Sequence, residues 1–225
     1  LIVLTLPAPE GLSSEAHRTA AIFLLMGTWW ATEAVPVAVT ALVPLALFPL
    51  LGIVDIQSAA NPYANKIVYL FLGGFLIATA IQKWNLHKRI ALFVLNNAGS
   101  NGASLILGFM VTAAVISMWV MNTATTIMLL PIGLAVITVV KETVKGLSEK
   151  ETENFQLALL LGIAYGATIG GMSTLIGTGP NGMLAAFMAD NYGLDISFVD
   201  WMKVGVPLSA VMSVSYTHLT LPTKA

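Results

Sequence analysis

Four long runs of the chain carry no Lys, Arg, Asp or Glu: Ala34–Val54, Ile67–Gln82, Ile90–Val140 and Asn154–Ala189. A helix needs about 20 mostly apolar residues to cross a hydrocarbon core of about 30 Å. None of the runs alternates apolar and polar residues as a strand of a membrane barrel would. Backbone groups left unpaired in lipid cost several kcal/mol each, so the runs are predicted to be helical wherever they meet lipid. The pattern predicts an all-α, polytopic helical membrane protein.

Helices are predicted from about Arg18 to Thr32, from Val37 to Leu51 after Pro36, and from Lys66 to Trp84. Leu86–Asn97 sets His87, Lys88 and Arg89 beside Ile90, Leu92, Phe93 and Leu95, which suits an amphipathic helix lying at the interface. Lys83, Lys88 and Arg89 put that side in the cytoplasm by the positive-inside rule, and the three Lys of Lys141–Glu153 favour the same side. A final helix is predicted from about Val204 to Val214. Leu1–Leu6 reads as the tail of an apolar helix and has neither the charged region nor the cleavage site of a signal peptide. Ser215–Ala225, SYTHLTLPTKA, resembles a translated sequencing-adapter read-through, so no function is expected of it or of His218 within it.

Composition narrows the function classes. Of 225 residues 57% are hydrophobic and 9% charged, whereas a soluble domain has about 25% charged residues. The net charge of −1 and the lack of a basic block exclude nucleic acid as an expected partner. Without cysteine there are no disulfides, iron–sulfur clusters or thiolate zinc sites. His17 and His87 have no second ligand at metal-binding spacing, and the ten methionines are scattered as packing residues are. No Ser/His/Asp arrangement is evident, and the glycine runs follow no strand, so neither an enzyme nor a dinucleotide fold is expected. Glu33 follows Trp29 and Trp30 and precedes Pro36, which fits a carboxylate held among headgroups.

Two polar interruptions carry the candidate chemistry. Ala103–Val140 holds SMWVMNTATT from Ser117 to Thr126 near its middle, and its length allows two full spans or a hairpin that turns back. Asn122 and Thr123 then sit where the second arm starts, as residue types that cap helices well. A helix N-terminus attracts an anion through its free amides and aligned dipoles. The second interruption is Gly162–Asn181, GIAYGATIGGMSTLIGTGPN. Gly177-Thr178-Gly179-Pro180-Asn181 is predicted to break the helix, with Pro180 opening a new one through Met188. Irregular backbone at membrane depth survives when buried in protein or lining a wet cavity, and its carbonyls suit an alkali cation. A hairpin tip with a broken helix fits the midplane site of a secondary transporter. Small residues also serve helix packing, and that reading stands beside the first.

At these residues the chain resembles the divalent-anion:sodium symporter family. The resemblance lies in SMWVMNTATTIMLLPI and IAYGATIGGMSTLIGTGPN, with further likeness in WWATEAVP (Trp29–Pro36), FLGGFLIATAIQKWNLHKRIAL (Phe71–Leu92) and DWMKVGVP (Asp200–Pro207). It implies two inverted repeats, each with a re-entrant hairpin and a broken transmembrane helix, of which this chain holds the first. It implies scaffold-type helices and the interfacial helix in 1–98, a transport-type unit in 99–214, and a homodimer at full length. By motif, Asn122, Thr123 and Thr178 match substrate-binding positions. Ser117, Met121, Asn122 and Gly177 match sodium ligands, the last through its backbone.

Two positions depart from the family pattern. Met121 stands where the tip usually has serine, so its backbone carbonyl alone can serve, and Gly179 replaces the more usual proline. The resemblance implies sodium-coupled symport of a small dicarboxylate-type anion, with citrate or sulfate as further candidates, across a bacterial inner membrane. The resemblance implies that sodium is co-transported. The alternatives are a sodium-independent exchanger of the same family and a non-transporting helical scaffold protein.

Overall fold

The computed structural model describes residues 6–97, 101–144, 146 and 148–220. Those residues form helices joined by turns, with no strand among them. Compact packing divides the chain between Val68 and Tyr69.

In the first unit α1 (Ser14–Thr32) starts four residues before the predicted position, because the Ser13 hydroxyl accepts from the Ala16 amide at 3.2 Å. It packs on α2 (Val37–Leu50), which starts behind Pro36 as predicted. Arg18 donates to the Leu51 carbonyl at 2.7 Å and fixes the end of α2 to α1. Asp55 caps the short α3 (Ile56–Ala60), accepting from the Ser58 amide at 2.9 Å and the Ser58 hydroxyl at 2.7 Å. The hydroxyl first, and the amide after it, hold the Asp55 carboxyl below its ordinary range. A 3-10 turn follows at Asn61–Ala64, where the Tyr63 hydroxyl donates back to Ala41 at 2.7 Å.

α4 (Lys66–Lys83) ends at a turn in which Asn85 takes a positive φ, and α5 (Leu86–Asn97) has the predicted bounds. His87 of α5 is buried, with its Nδ1 3.5 Å from the Ile81 carbonyl, although the sequence suggests an interfacial position.

Three helices form the centre of the second unit: α6 (Gly102–Ser117), α7 (Asn122–Thr143) and α8 (Glu149–Gly171). Ser148 and Glu151 form a reciprocal capping box that starts α8 inside the polar stretch. Ile106, Phe109 and Ala113 of α6 meet Leu129 and Ile137 of α7 and Leu159, Ile163 and Ala167 of α8 in one core.

Glycines set the closeness of α6 to α8. Gly162, Gly166 and Gly170 recur every fourth residue, so they share one helix face. A Cβ on Gly166 would lie 2.6 Å from the Met110 carbonyl, and one on Gly170 would enter the Ala114 backbone. Such spacing lets membrane helices approach backbone to backbone.

α9 (Gly179–Tyr192) and α10 (Phe198–Thr220) complete the described chain. α10 begins six residues before the predicted Val204, because Ser197 accepts from the Asp200 amide at 3.2 Å and donates to its carboxylate at 2.6 Å. It also continues past Val214, where Tyr216 lies against Tyr165 with ring centroids 4.5 Å apart.

Ile56–Lys83, Asn122–Thr143 and Glu149–Gly171 are long and apolar enough to cross a membrane. Helices of both units turn large apolar side chains outward, among them Phe23, Leu50, Ile127 and Val204. Lipid accommodates that surface and water does not.

Candidate cation and anion site

The turn at 118–121 follows α6 directly, and its backbone folds tightly: the amides of Trp119 and Val120 both donate to the Ile116 carbonyl at 3.0 Å. α7 restarts at Asn122 with Met121, not Asn122 or Thr123, in the capping position. Met121 has no side-chain oxygen to cap with, and the Asn122 amide is engaged elsewhere. The predicted capping role of Asn122 and Thr123 is corrected accordingly.

The break in the fourth charge-free run also differs from its predicted place. α8 stops at Gly171, six residues before Gly177, and the chain turns through Met172–Thr178 before α9 restarts. Thr178 holds the capping position without a side-chain cap bond. Pro180 is the second residue of α9, not the first.

Several carbonyls at this break find side-chain donors far along the chain. Ser209 donates to Ile169 at 2.8 Å and Trp201 Nε1 to Met172 at 3.0 Å. Asn181 donates to Gly171 at 3.0 Å and to Thr174 at 2.7 Å. Gly205 permits the approach of α10, since a Cβ there would lie 2.8 Å from the carbonyls of Met172 and Ser173. The break is therefore a packed, hydrogen-bonded loop, which is the form irregular backbone needs if it is to lie at membrane depth.

Tip and break meet. The Ser117 hydroxyl, fully buried, lies 2.8 Å from the Asn122 side-chain amide. The inward-facing end of that amide lies 3.2 Å from the Gly177 and Ala167 carbonyls, which only accept, and 2.8 Å from Ser117 Oγ, a hydroxyl that can accept or donate. With its nitrogen inward the amide donates to this ring. With its oxygen inward the Ser117 hydroxyl donates to it at 2.8 Å, and the Gly177 and Ala167 carbonyls, 3.2 Å from the same point, are left facing it as oxygens that a cation could join. Two occupants thus satisfy the ring, an N–H group or a hard cation.

A Cβ on Gly177 would enter the Gly171 carbonyl and stand 2.9 Å from that of Ser117. Only glycine fits this close approach of the loop to the tip.

The structure brings together Ser117, Asn122 and Gly177 among the sequence-predicted residues. Met121 adjoins them through the backbone, but its carbonyl accepts from the Thr125 amide at 2.9 Å and its side chain is exposed. Thr123 is exposed on the first turn of α7, and Thr178 is half-buried just before α9. Two helix restarts, each without a side-chain cap, therefore flank the cluster. Among the described residues no group of His, Cys, Asp or Glu is placed to hold a metal ion. Thr174, Asn181, Trp201 and Ser209 have no counterpart among the predicted site residues. The sequence signal for Trp201 is DWMKVGVP, where an indole N–H in an apolar helix needs an acceptor.

Comparison with known proteins decides the family. The model described as the sodium:sulfate symporter transmembrane region matches residues 1–221. The chain belongs to this symporter family. It is similar to the sodium-dependent dicarboxylate transporter SdcS of Staphylococcus saprophyticus, 41% identical over 213 residues. It is also similar to the transporter of that name from Staphylococcus aureus, 40% identical over 213 residues. Each match covers 94% of this chain and 41% of the relative, so the chain spans about two fifths of their length. Family membership, with the outward apolar helices, makes this symporter-family chain a multi-pass membrane protein related to transporters and not to enzymes.

Proposed function

We propose that the chain is the first repeat of a sodium-coupled symporter for divalent organic anions such as succinate. The observation that carries this is the ring of oxygen atoms around the inward end of the Asn122 amide. The SdcS relatives, sodium-dependent dicarboxylate transporters by name, support both the sodium and the dicarboxylate.

In this reading Ser117 Oγ, the Asn122 oxygen and the Gly177 carbonyl are sodium ligands, and the Met121 carbonyl contributes only by leaving its helical bond. Sodium turns the Asn122 oxygen inward, which leaves the amide's two N–H donors for the anion. Thr123, Thr178 and the free amides of the two helix restarts complete this half of the anion site. No Lys or Arg lies in either charge-free run, so the cation supplies the countercharge. Because the two ions share one amide, each favours the other, and that coupling is reciprocal.

The turn at 118–121 is a re-entrant tip in this account. α6, with 16 residues, is about 24 Å long at 1.5 Å per residue, shorter than the hydrocarbon core. Residues 1–98 act as scaffold and 99–214 as the moving transport unit, with no role for 215–225. A second repeat, a homodimeric assembly and a bacterial inner membrane belong to the same proposal.

Uptake of labelled succinate by cells expressing the complete gene, with sodium replaced by choline, tests the reading. A symporter loses uptake. Uptake that survives identifies a sodium-independent exchanger, and no uptake in either medium favours a scaffold protein or another anion such as citrate or sulfate.

A further inference from the structure

We infer that Thr174 is a positioning residue for the sodium site, a latch whose single hydroxyl sets the distance between hairpin tip and broken helix. The inference rests on the sodium reading of this site and extends it to a residue that touches neither ion.

Thr174 is fully buried in the turn between α8 and α9. Its hydroxyl donates to the Met118 carbonyl at 2.5 Å and accepts from the Gly177 amide at 3.1 Å. A hydroxyl has one proton to give. A carbonyl can only accept and an amide only donate, so the direction of both bonds is fixed. The two partners belong to the two elements that carry the ligands. Met118 follows Ser117 at the end of α6, and Gly177 supplies the carbonyl that faces Asn122.

The backbone carbonyl of Thr174 is engaged as well: it accepts from Asn181 at 2.7 Å, and the same Asn181 side chain donates to Gly171 at 3.0 Å. Asn181 therefore closes the loop 171–177 at its base while Thr174 joins the loop to the tip. Ser117 and Asn122 lie on one side of this joint and Gly177 on the other. Without the hydroxyl, the Met118 carbonyl and the Gly177 amide lose a buried partner, and tip and loop are free to separate. A cation held between them then binds more weakly, whereas the turnover of the loaded site is unchanged.

A structural role and a positioning role predict different kinetics. Thr174→Val keeps the shape and removes the hydroxyl, and Thr174→Ser keeps the hydroxyl and removes a methyl. Initial rates of labelled succinate uptake are measured against sodium concentration in proteoliposomes holding the protein of the complete gene. Thr174→Val is expected to raise the half-saturating sodium concentration at least tenfold, about 1.4 kcal/mol, with the limiting rate within twofold of wild type. Thr174→Ser is expected to restore the wild-type value within about threefold, or 0.6 to 0.7 kcal/mol at RT ≈ 0.59 kcal/mol.

An unchanged sodium dependence in Thr174→Val overturns the latch, as does a fall in limiting rate alone. If Thr174→Val does not fold, Thr174→Ala, which crowds nothing, takes its place. Failure of both to fold beside a folded Thr174→Ser assigns the residue to the fold and also overturns the proposal. Wild-type uptake without sodium dependence refutes the sodium reading itself, a result distinct from any of these.

Discussion

The Asn122 side-chain amide faces the Gly177 and Ala167 carbonyls and Ser117 Oγ, and its neighbour Met121 stands where the family resemblance leads one to expect a serine. The two residues make opposite predictions. Asn122→Ala removes the amide from the ring and leaves the Gly177 carbonyl facing a void. Sodium-dependent uptake is expected to fall at least tenfold with surface expression unchanged; retained uptake would remove Asn122 from the site. Met121→Ser supplies the hydroxyl that the family resemblance expects at the residue before Asn122, on a side chain that is exposed. It is expected to lower the half-saturating sodium concentration several-fold, read from the same uptake curves, whereas a rise would mean that the thioether has a packing role. Asn122 was legible in the sequence as a polar residue inside an apolar run, and Met121 as a departure from the family pattern beside it. Thr174, Asn181 and Trp201 were not, because their partners Met118, Gly171 and Met172 are set by the folded path of the chain. Nothing in their local spacing announces those bonds.

At the scale of elements, the helix ends that depend on local chemistry agree closely with the sequence reading. Pro36 opens α2, α5 runs from Leu86 to Asn97, and α7 restarts at Asn122. The end of α8 does not agree. Gly177-Thr178-Gly179-Pro180 looks like the stronger breaker, yet the helix stops at Gly171, where side chains of α9 and α10 receive its carbonyls. The starts of α1 and α10 were readable in Ser13 and in the Ser197/Asp200 pair, both of them ordinary capping signals.

Packing of α6 on α8 gives a sharper test. Gly170→Ala places a methyl in the Ala114 backbone, which has no flexible end to yield. The cost is expected to be about 1–3 kcal/mol, the usual penalty of overpacking, seen as a lower thermal midpoint. Gly73→Ala on α4 meets nothing within 4 Å and is expected to be neutral or to gain up to about 1 kcal/mol from helix propensity. Equal effects would show that α6 and α8 are not in close backbone contact.

The cap of α3 adds a pH dependence. Because the Asp55 carboxyl is held below its ordinary range by Ser58, its stabilising effect is present above the unfolded value. It is lost as pH falls through the lower folded value. The wild type is therefore expected to melt above Asp55→Ala at neutral pH, with the difference closing below about pH 4. A constant difference would separate the cap from the charge.

Over the whole molecule, an all-α chain with outward apolar helices places its polar chemistry where the turn between α6 and α7 meets the break between α8 and α9. Membrane class and the two interruptions were legible because lipid forbids charge along a span and tolerates irregular backbone only where it is buried. The meeting of Ser117 and Asn122 with Gly177 was not derivable from spacing, since some fifty residues of α7 and α8 separate the two segments. The resemblance to the symporter family supplied that link. On this account the protein of the complete gene carries a second Asn-Thr tip and a second Gly/Pro-broken helix, which sequencing of the native gene reads directly; a gene without them would favour the scaffold reading.

The measurement closest to the central claim is the thermal midpoint of the purified protein of the complete gene, titrated with sodium chloride at constant ionic strength in choline chloride. A ligand that binds only the folded state stabilises by about 2.7 kcal/mol at one hundred times its dissociation constant. A saturable rise with sodium, not reproduced by potassium and lost in Asn122→Ala, is the predicted result. The same midpoint in sodium, potassium and choline would contradict it.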